Sequence, residues 1–104
     1  MKTLRLVFLS VMAVLLAYSF ALSADDADRG KALFNDTRLG NNLSGMSCNS
    51  CHSDGNGLEK AGDRKDLVQF VNSCVKNALK GKPIDPMSQD MRDIVAYIMS
   101  LKRK

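Results

Sequence analysis

Cys48-Asn49-Ser50-Cys51-His52 decides how the rest of this 104-residue chain is read. Two thiols separated by two residues reach the two vinyl groups on one edge of a porphyrin. The histidine that follows then turns its imidazole toward the iron from the same side. The stretch predicts one covalent haem c, attached through Cys48 and Cys51, with His52 as proximal ligand. His52 is the only histidine of the chain, so no other imidazole competes for the role. Three other uses of the pattern are weaker. A zinc site wants four ligands and usually a second Cys/His pair. A thioredoxin-like redox pair wants a βαβ setting. A plain Cys48–Cys51 disulfide is the third.

Upstream of the motif, residues 1–23 read as a secretory signal peptide. Lys2 and Arg5 make a short basic start, and Leu6 to Leu22 is almost wholly apolar. Ala21-Leu22-Ser23 puts small residues where a signal peptidase reads, and cleavage is expected after Ser23 or Ala24. An uncleaved anchor is the alternative, although seventeen residues is short against the ~20 a membrane span needs. Residues 24–104 then form a single domain of about 80 residues, a size at which a cofactor commonly serves as a staple. Lys2 and Arg5 account for two of the fifteen basic residues, leaving thirteen against eleven acidic ones. That near balance, with no basic stripe interleaved with aromatics, excludes a nucleic-acid partner.

Downstream and upstream of the motif, the apolar spacing is helical and no strand pattern appears, so the fold class is all-α, with three main helices expected around the one covalent haem. The first helix is expected over about 26–36, with Ala27, Gly30, Leu33 and Phe34 on one face. The second is expected to start at an Asp63 cap, to carry Leu67, Phe70, Val71, Cys74 and Ala78 inward, and to stop at Gly81. The third is capped by Ser88 and turns Met91, Ile94, Val95, Ile98 and Leu101 inward. Residues 37–47 and 53–62 are rich in Gly, Asn and Ser and read as loops.

The sixth position of the iron decides the function. With no second histidine, the candidates are Cys74, Met87, Met91, Met99, Met46 and Asn72. Cys74 ranks first: it is the odd cysteine of an exported protein and sits mid-face on the second helix. A small buried hydrophobe and an intermolecular disulfide are its alternative roles. Met87, in the connection before the third helix, and Met91, in its first turns, are the alternative distal ligands, since Met/His is a standard pair in electron carriers.

The segments Asp28-Arg29-Gly30-Lys31-Ala32-Leu33-Phe34, CxxCH and Ala96-Tyr97-Ile98-Met99-Ser100-Leu101 together resemble a small class I cytochrome c. That resemblance implies that Gly30 and Phe34 cross against Tyr97. The stretch Val71-Asn72-Ser73-Cys74-Val75-Lys76-Asn77-Ala78-Leu79-Lys80-Gly81-Lys82-Pro83, with Ser88-Gln89-Asp90-Met91, is similar to the region around the catalytic haem of thiosulfate dehydrogenases. The interval from His52 to Cys74 is shorter here than in that family. The whole single-haem form also resembles the anammox NaxLS cytochromes, heterodimers with His/Cys ligation that bind nitric oxide and carbon monoxide. These resemblances imply Cys74 as distal ligand, the Ser-x-x-Met methionine as core, and a similar small cytochrome as a heterodimer partner. A related high-spin group that uses asparagine keeps Asn72 in view.

The functional expectation is a non-enzymatic, low-potential redox or gas-binding cytochrome with nitric oxide or carbon monoxide as small ligand. It would lie in the periplasm or an equivalent compartment, the anammoxosome lumen by the NaxLS resemblance, and serve a redox partner protein. No stable membrane span is expected after cleavage. A plain His/Met electron carrier and the haem subunit of a sulfur-oxidising enzyme are the alternatives. Lys76, Lys80 and Lys82 form a basic edge that either steers an acidic partner or is simply solvated.

Overall fold

The computed structural model describes residues 25–103, so the expected signal peptide, Ala24 and Lys104 lie outside the described residues. Helix α1, Ala27–Phe34, starts where extended Asp26 accepts a hydrogen bond from the Arg29 N–H at 2.9 Å. An aspartate there satisfies one of the first-turn amides and suits the positive end of the helix dipole. The one-turn helix α2, Cys48–Cys51, carries the thiols. Helix α3, Leu67–Ser73, runs on as a π-turn over Cys74–Ala78. Helix α4, Gln89–Ser100, is capped by Ser88, whose hydroxyl accepts from the Met91 N–H at 3.2 Å, and ends in a 3-10 turn over Leu101–Arg103. Among the described residues there is no β-strand, and the fold is all-α. No helix among them is long and apolar enough to cross a membrane.

The core is built on the crossing of α1 and α4. A Cβ on Gly30 would stand 1.8 Å from the Asp93 carbonyl oxygen, so the two backbones meet only because residue 30 has no side chain. One turn on, the Phe34 and Tyr97 rings meet edge to face, their centroids 5.1 Å apart at 62°. Met91, Ile94, Ile98 and Leu101 are buried beside them, which is the inward face expected of the third helix.

Asp93 lies in the same crossing with none of its surface exposed. A buried carboxylate persists only when its oxygens are bonded. Here they accept from the Asp26 N–H (2.8 Å), Arg29 Nη1 (2.7 Å) and Gln89 Nε2 (2.6 Å). Arg29 also reaches Asp90 at 2.5 Å. The chain just before α1 is thereby tied to α4.

Two helix boundaries differ from expectation. The second long helix begins at Leu67, not at an Asp63 cap: Ala61–Asp63 is a separate 3-10 turn, and the Arg64 backbone is extended. Asp63 pairs instead with Lys102, which ties the end of α4 to this turn. Asp66 precedes Leu67 but makes no side-chain cap, because its carboxylate is held by Arg64 at 2.9 and 3.0 Å. The other end is not stopped by Gly81 in a left-handed conformation. Lys80 takes that conformation, at φ 59°. Gly81 sits in a tight place, since a Cβ there would lie 3.0 Å from the Gly40 carbonyl oxygen.

Candidate functional site

The site starts from the short helix α2. At its N-terminus the Ser47 N–H donates to Ser50 Oγ at 2.9 Å, and at its C-terminus the His52 N–H closes onto the Cys48 carbonyl at 3.0 Å. The turn is thus held at both ends although it is only four residues long. It presents Cys48, Cys51 and His52 to a single cleft. Cys51 is exposed at the rim, and Cys48 is partly buried.

The imidazole of His52 is oriented. Its Nδ1 stands 3.0 Å from the Asn56 carbonyl oxygen. A carbonyl can only accept, so the bond puts the ring proton on Nδ1 and leaves the lone pair on Nε2. A backbone partner of this kind fixes the tautomer and direction of a histidine that binds metal through its other nitrogen. The Ser47–Ser50 bond and Asn56 were not singled out in the sequence. The serine pair has the spacing of a capping box, Ser-x-x-Ser, which is a usable cue. A carbonyl acceptor leaves no trace in side-chain pattern.

The facing wall comes from α3 and the π-turn. Phe70, Val71, Cys74, Ala78 and Leu79 all line the cleft that His52 faces, and Ile94 and Ile98 of α4 complete it. The cleft between these walls is narrow, about 60 Å³, and open at its mouth, and its exposed lining is apolar. Arg64 stacks over the Phe70 ring at 4.4 Å and steadies that rim.

All three cysteines are free thiols. Burial, with Cys74 and Cys51 adding to it, pushes the Cys48 thiol up to about 11. Burial also raises Cys74, with Cys51 adding to it. The mutual influence reflects one shared neighbourhood. Without a cation beside it, Cys74 is therefore held as the neutral thiol near pH 7; coordination to a metal would remove its proton.

The methionine and asparagine alternatives are elsewhere. Met87 is exposed, and its N–H bonds Asp85 Oδ1 at 2.9 Å. Met91 is buried in the core and lines a different groove, with Asp25, Val68 and Val95. Met99 and Met46 are exposed. The Asn72 amide is fully used by the backbone of Ile84: Nδ2 donates to its carbonyl and Oδ1 accepts from its N–H, each at 2.8 Å.

The residues present fit a covalent haem. There are two thiols on one turn, an imidazole with a free and directed nitrogen, an apolar cleft, and a third sulfur on another element. Among the described residues, no three His, Cys, Asp or Glu side chains group as a bare metal ion would need. A haem iron does not ask for that, because the porphyrin supplies four of its ligands. Comparison with protein-family models, with curated proteins and with solved structures gives no match, so the site is read from its own geometry.

Proposed function

We propose that this chain is an exported c-type cytochrome carrying one haem c through Cys48 and Cys51, with His52 and Cys74 as axial ligands, that serves low-potential electron transfer and binds a diatomic gas such as nitric oxide or carbon monoxide. The observation that carries the reading is one apolar cleft lined by all three cysteines and the only histidine, with Cys74 contributed by the π-turn that continues α3, Cys48 and Cys51 by α2, and His52 by the residue that caps α2. A haem bound there supplies a one-electron iron couple and a site for a diatomic ligand.

The chain's own residues set the terms of that chemistry. The Asn56 carbonyl directs His52 and makes it a better donor. A Cys74 thiolate would donate charge and favour the ferric state, which lowers the potential. Phe70, Val71 and Leu79 exclude water from the same side. A redox partner protein follows from a one-electron centre, and a similar small cytochrome is the partner that the NaxLS resemblance implies. Export follows from the leader.

The test is the absorption spectrum of the ferric and ferrous holo-protein, with and without carbon monoxide, for the parent and Cys74→Ala. Loss of the low-spin ferric spectrum in the variant is expected, together with faster carbon monoxide uptake. An unchanged low-spin spectrum in Cys74→Ala would sink the ligand assignment.

A further inference from the structure

The helix that carries Cys74 changes its winding at that residue. Leu67–Ser73 is α-helical, whereas from Cys74 to Ala78 the winding is π, closed by the Leu79 N–H donating to the Cys74 carbonyl at 3.1 Å. In an α-helix residues five apart lie about 140° from each other around the axis. In the wider turn they stack, and here both Cys74 and Leu79 line the cleft. π-turns are rare and concentrate at functional sites.

Something has to hold so unusual a turn, and its partner is the tight turn Leu39–Asn41. Val75, wholly buried, packs against Gly40: a Cβ on Gly40 would lie 2.7 Å from Val75 Cγ1 and 2.6 Å from the Lys82 carbonyl oxygen. The Lys82 N–H donates to the Gly40 carbonyl at 2.7 Å, and the Gly81 N–H donates back to the Val75 carbonyl at 2.8 Å. Gly81 itself approaches the Gly40 and Leu39 carbonyls closely: a Cβ there would lie 3.0 and 3.2 Å from their oxygens, a tight contact. The turn is braced in its own right, because buried Asn42 donates to the Leu39 carbonyl at 2.7 Å.

We propose that this clasp, in which Gly40, Val75 and Gly81 lock the Cys74–Ala78 π-turn onto the Leu39–Asn41 turn, is the positioning device that holds Cys74 at the cleft. The inference rests on Cys74 being the distal ligand. It goes further by assigning that ligand's placement to three residues that do not line the cleft.

Two glycines make the test clean. Gly40 and Gly45 both have left-handed backbones, at φ 67° and 73°. Alanine at Gly45 meets nothing within 4 Å, whereas alanine at Gly40 runs into Val75 and Lys82. Gly45→Ala therefore carries similar backbone strain without touching the clasp. In the holo-protein, Gly40→Ala is expected to shift the ferric spectrum part-way toward that of Cys74→Ala and to speed ferrous carbon monoxide uptake several-fold. Gly81→Ala and Val75→Ala should do so to a lesser degree, and Gly45→Ala should not. Far-UV circular dichroism and haem content confirm that each variant is folded and loaded. Should Gly40→Ala fail to fold, Gly81→Ala and Val75→Ala carry the test. Parental spectra and uptake rates in the folded clasp variants overturn the proposal. If Cys74→Ala itself keeps the parental spectrum, it is the ligand assignment that fails, which separates the two outcomes.

Discussion

Gly30→Ala tests the crossing on which the fold is built. The added Cβ would lie 1.8 Å from the Asp93 carbonyl oxygen, 2.5 Å from its carbonyl carbon and 3.0 Å from Tyr97 Cβ. A tolerable carbon-to-oxygen contact is about 3.3 Å, so the backbones of α1 and α4 must part locally by roughly 1.5 Å. Both obstacles nearest the new atom are backbone, which no rotamer change can move. Alanine is the better helix former by about 1 kcal/mol, and that gain works in favour of the variant. Against it stand overpacking at about 1–3 kcal/mol or more, loosening of the Phe34–Tyr97 ring pair at about 0.5–1.5 kcal/mol, and stretching of the Asp26–Asp93 bond at about 1 kcal/mol. The clash wins, with a net loss of roughly 3 kcal/mol. For a domain of this size, that lowers the melting temperature by about 15 °C. Thermal unfolding of holo-protein and variant, followed by far-UV circular dichroism in the same buffer, measures it. A melting temperature within about 3 °C of the parent would refute the close crossing.

Two further outcomes follow from the buried bonds. Burial pushes the Asp93 carboxyl up, but the bonds from the Asp26 N–H, Arg29 and Gln89 outweigh it, and the net direction is down. A lowered folded value contributes stability above the ordinary value near 4, which is lost as the pH falls through the folded one. The melting-temperature gap between the parent and Asp93→Asn should therefore be widest near neutrality and narrow below about pH 4; a gap independent of pH would contradict this. Asn72→Ala should leave the ferric spectrum unchanged while lowering stability by about 2 kcal/mol, because both polar groups of the Ile84 backbone lose their partner. Met87→Leu should likewise leave the spectrum unchanged, and a spectral change in either variant would place that side chain on the iron.

Most of the long-range frame was legible because it is written in periodicity. Ile94, Ile98 and Leu101 form one buried stripe, as their spacing implied, whereas the meeting of Gly30 and Phe34 with Tyr97 was implied only by the resemblance to a small class I cytochrome c. Cys74 reaches the cleft from the face that Leu67 and Val71 define. What escaped the sequence depends on contacts between distant or featureless groups. Asp93 looks like an ordinary exposed acid in a helical pattern; its burial is tolerable only because the Asp26 N–H and Arg29, 67 and 64 positions earlier, join Gln89 in bonding it. Asp63 has the composition of a cap, but its carboxylate is drawn to Lys102. The π-turn cannot be read from periodicity at all. A five-residue anomaly in winding is smaller than the window over which periodicity is recognised, and its cause lies in a turn 35 residues upstream.

The choice between sulfur ligands is where geometry adds most. The four methionines among the described residues offer longer and more adaptable side chains than a cysteine. On α4, however, the positions that line the cleft are Ile94 and Ile98, and Met91 is turned into the core away from it. Met87 precedes the Ser88 cap and faces solvent, and Met99 is half exposed. The third sulfur in the cleft, the one opposite His52, therefore has to come from the π-turn that continues α3. A cysteine carries its sulfur only one carbon from the backbone, so it cannot correct a misplaced helix by changing rotamer as methionine can. Its placement falls to the backbone itself. That requirement gives the rigid clasp on the π-turn a physical reason: a short ligand demands a wall held in place by glycine contacts and a buried valine rather than by its own side chain.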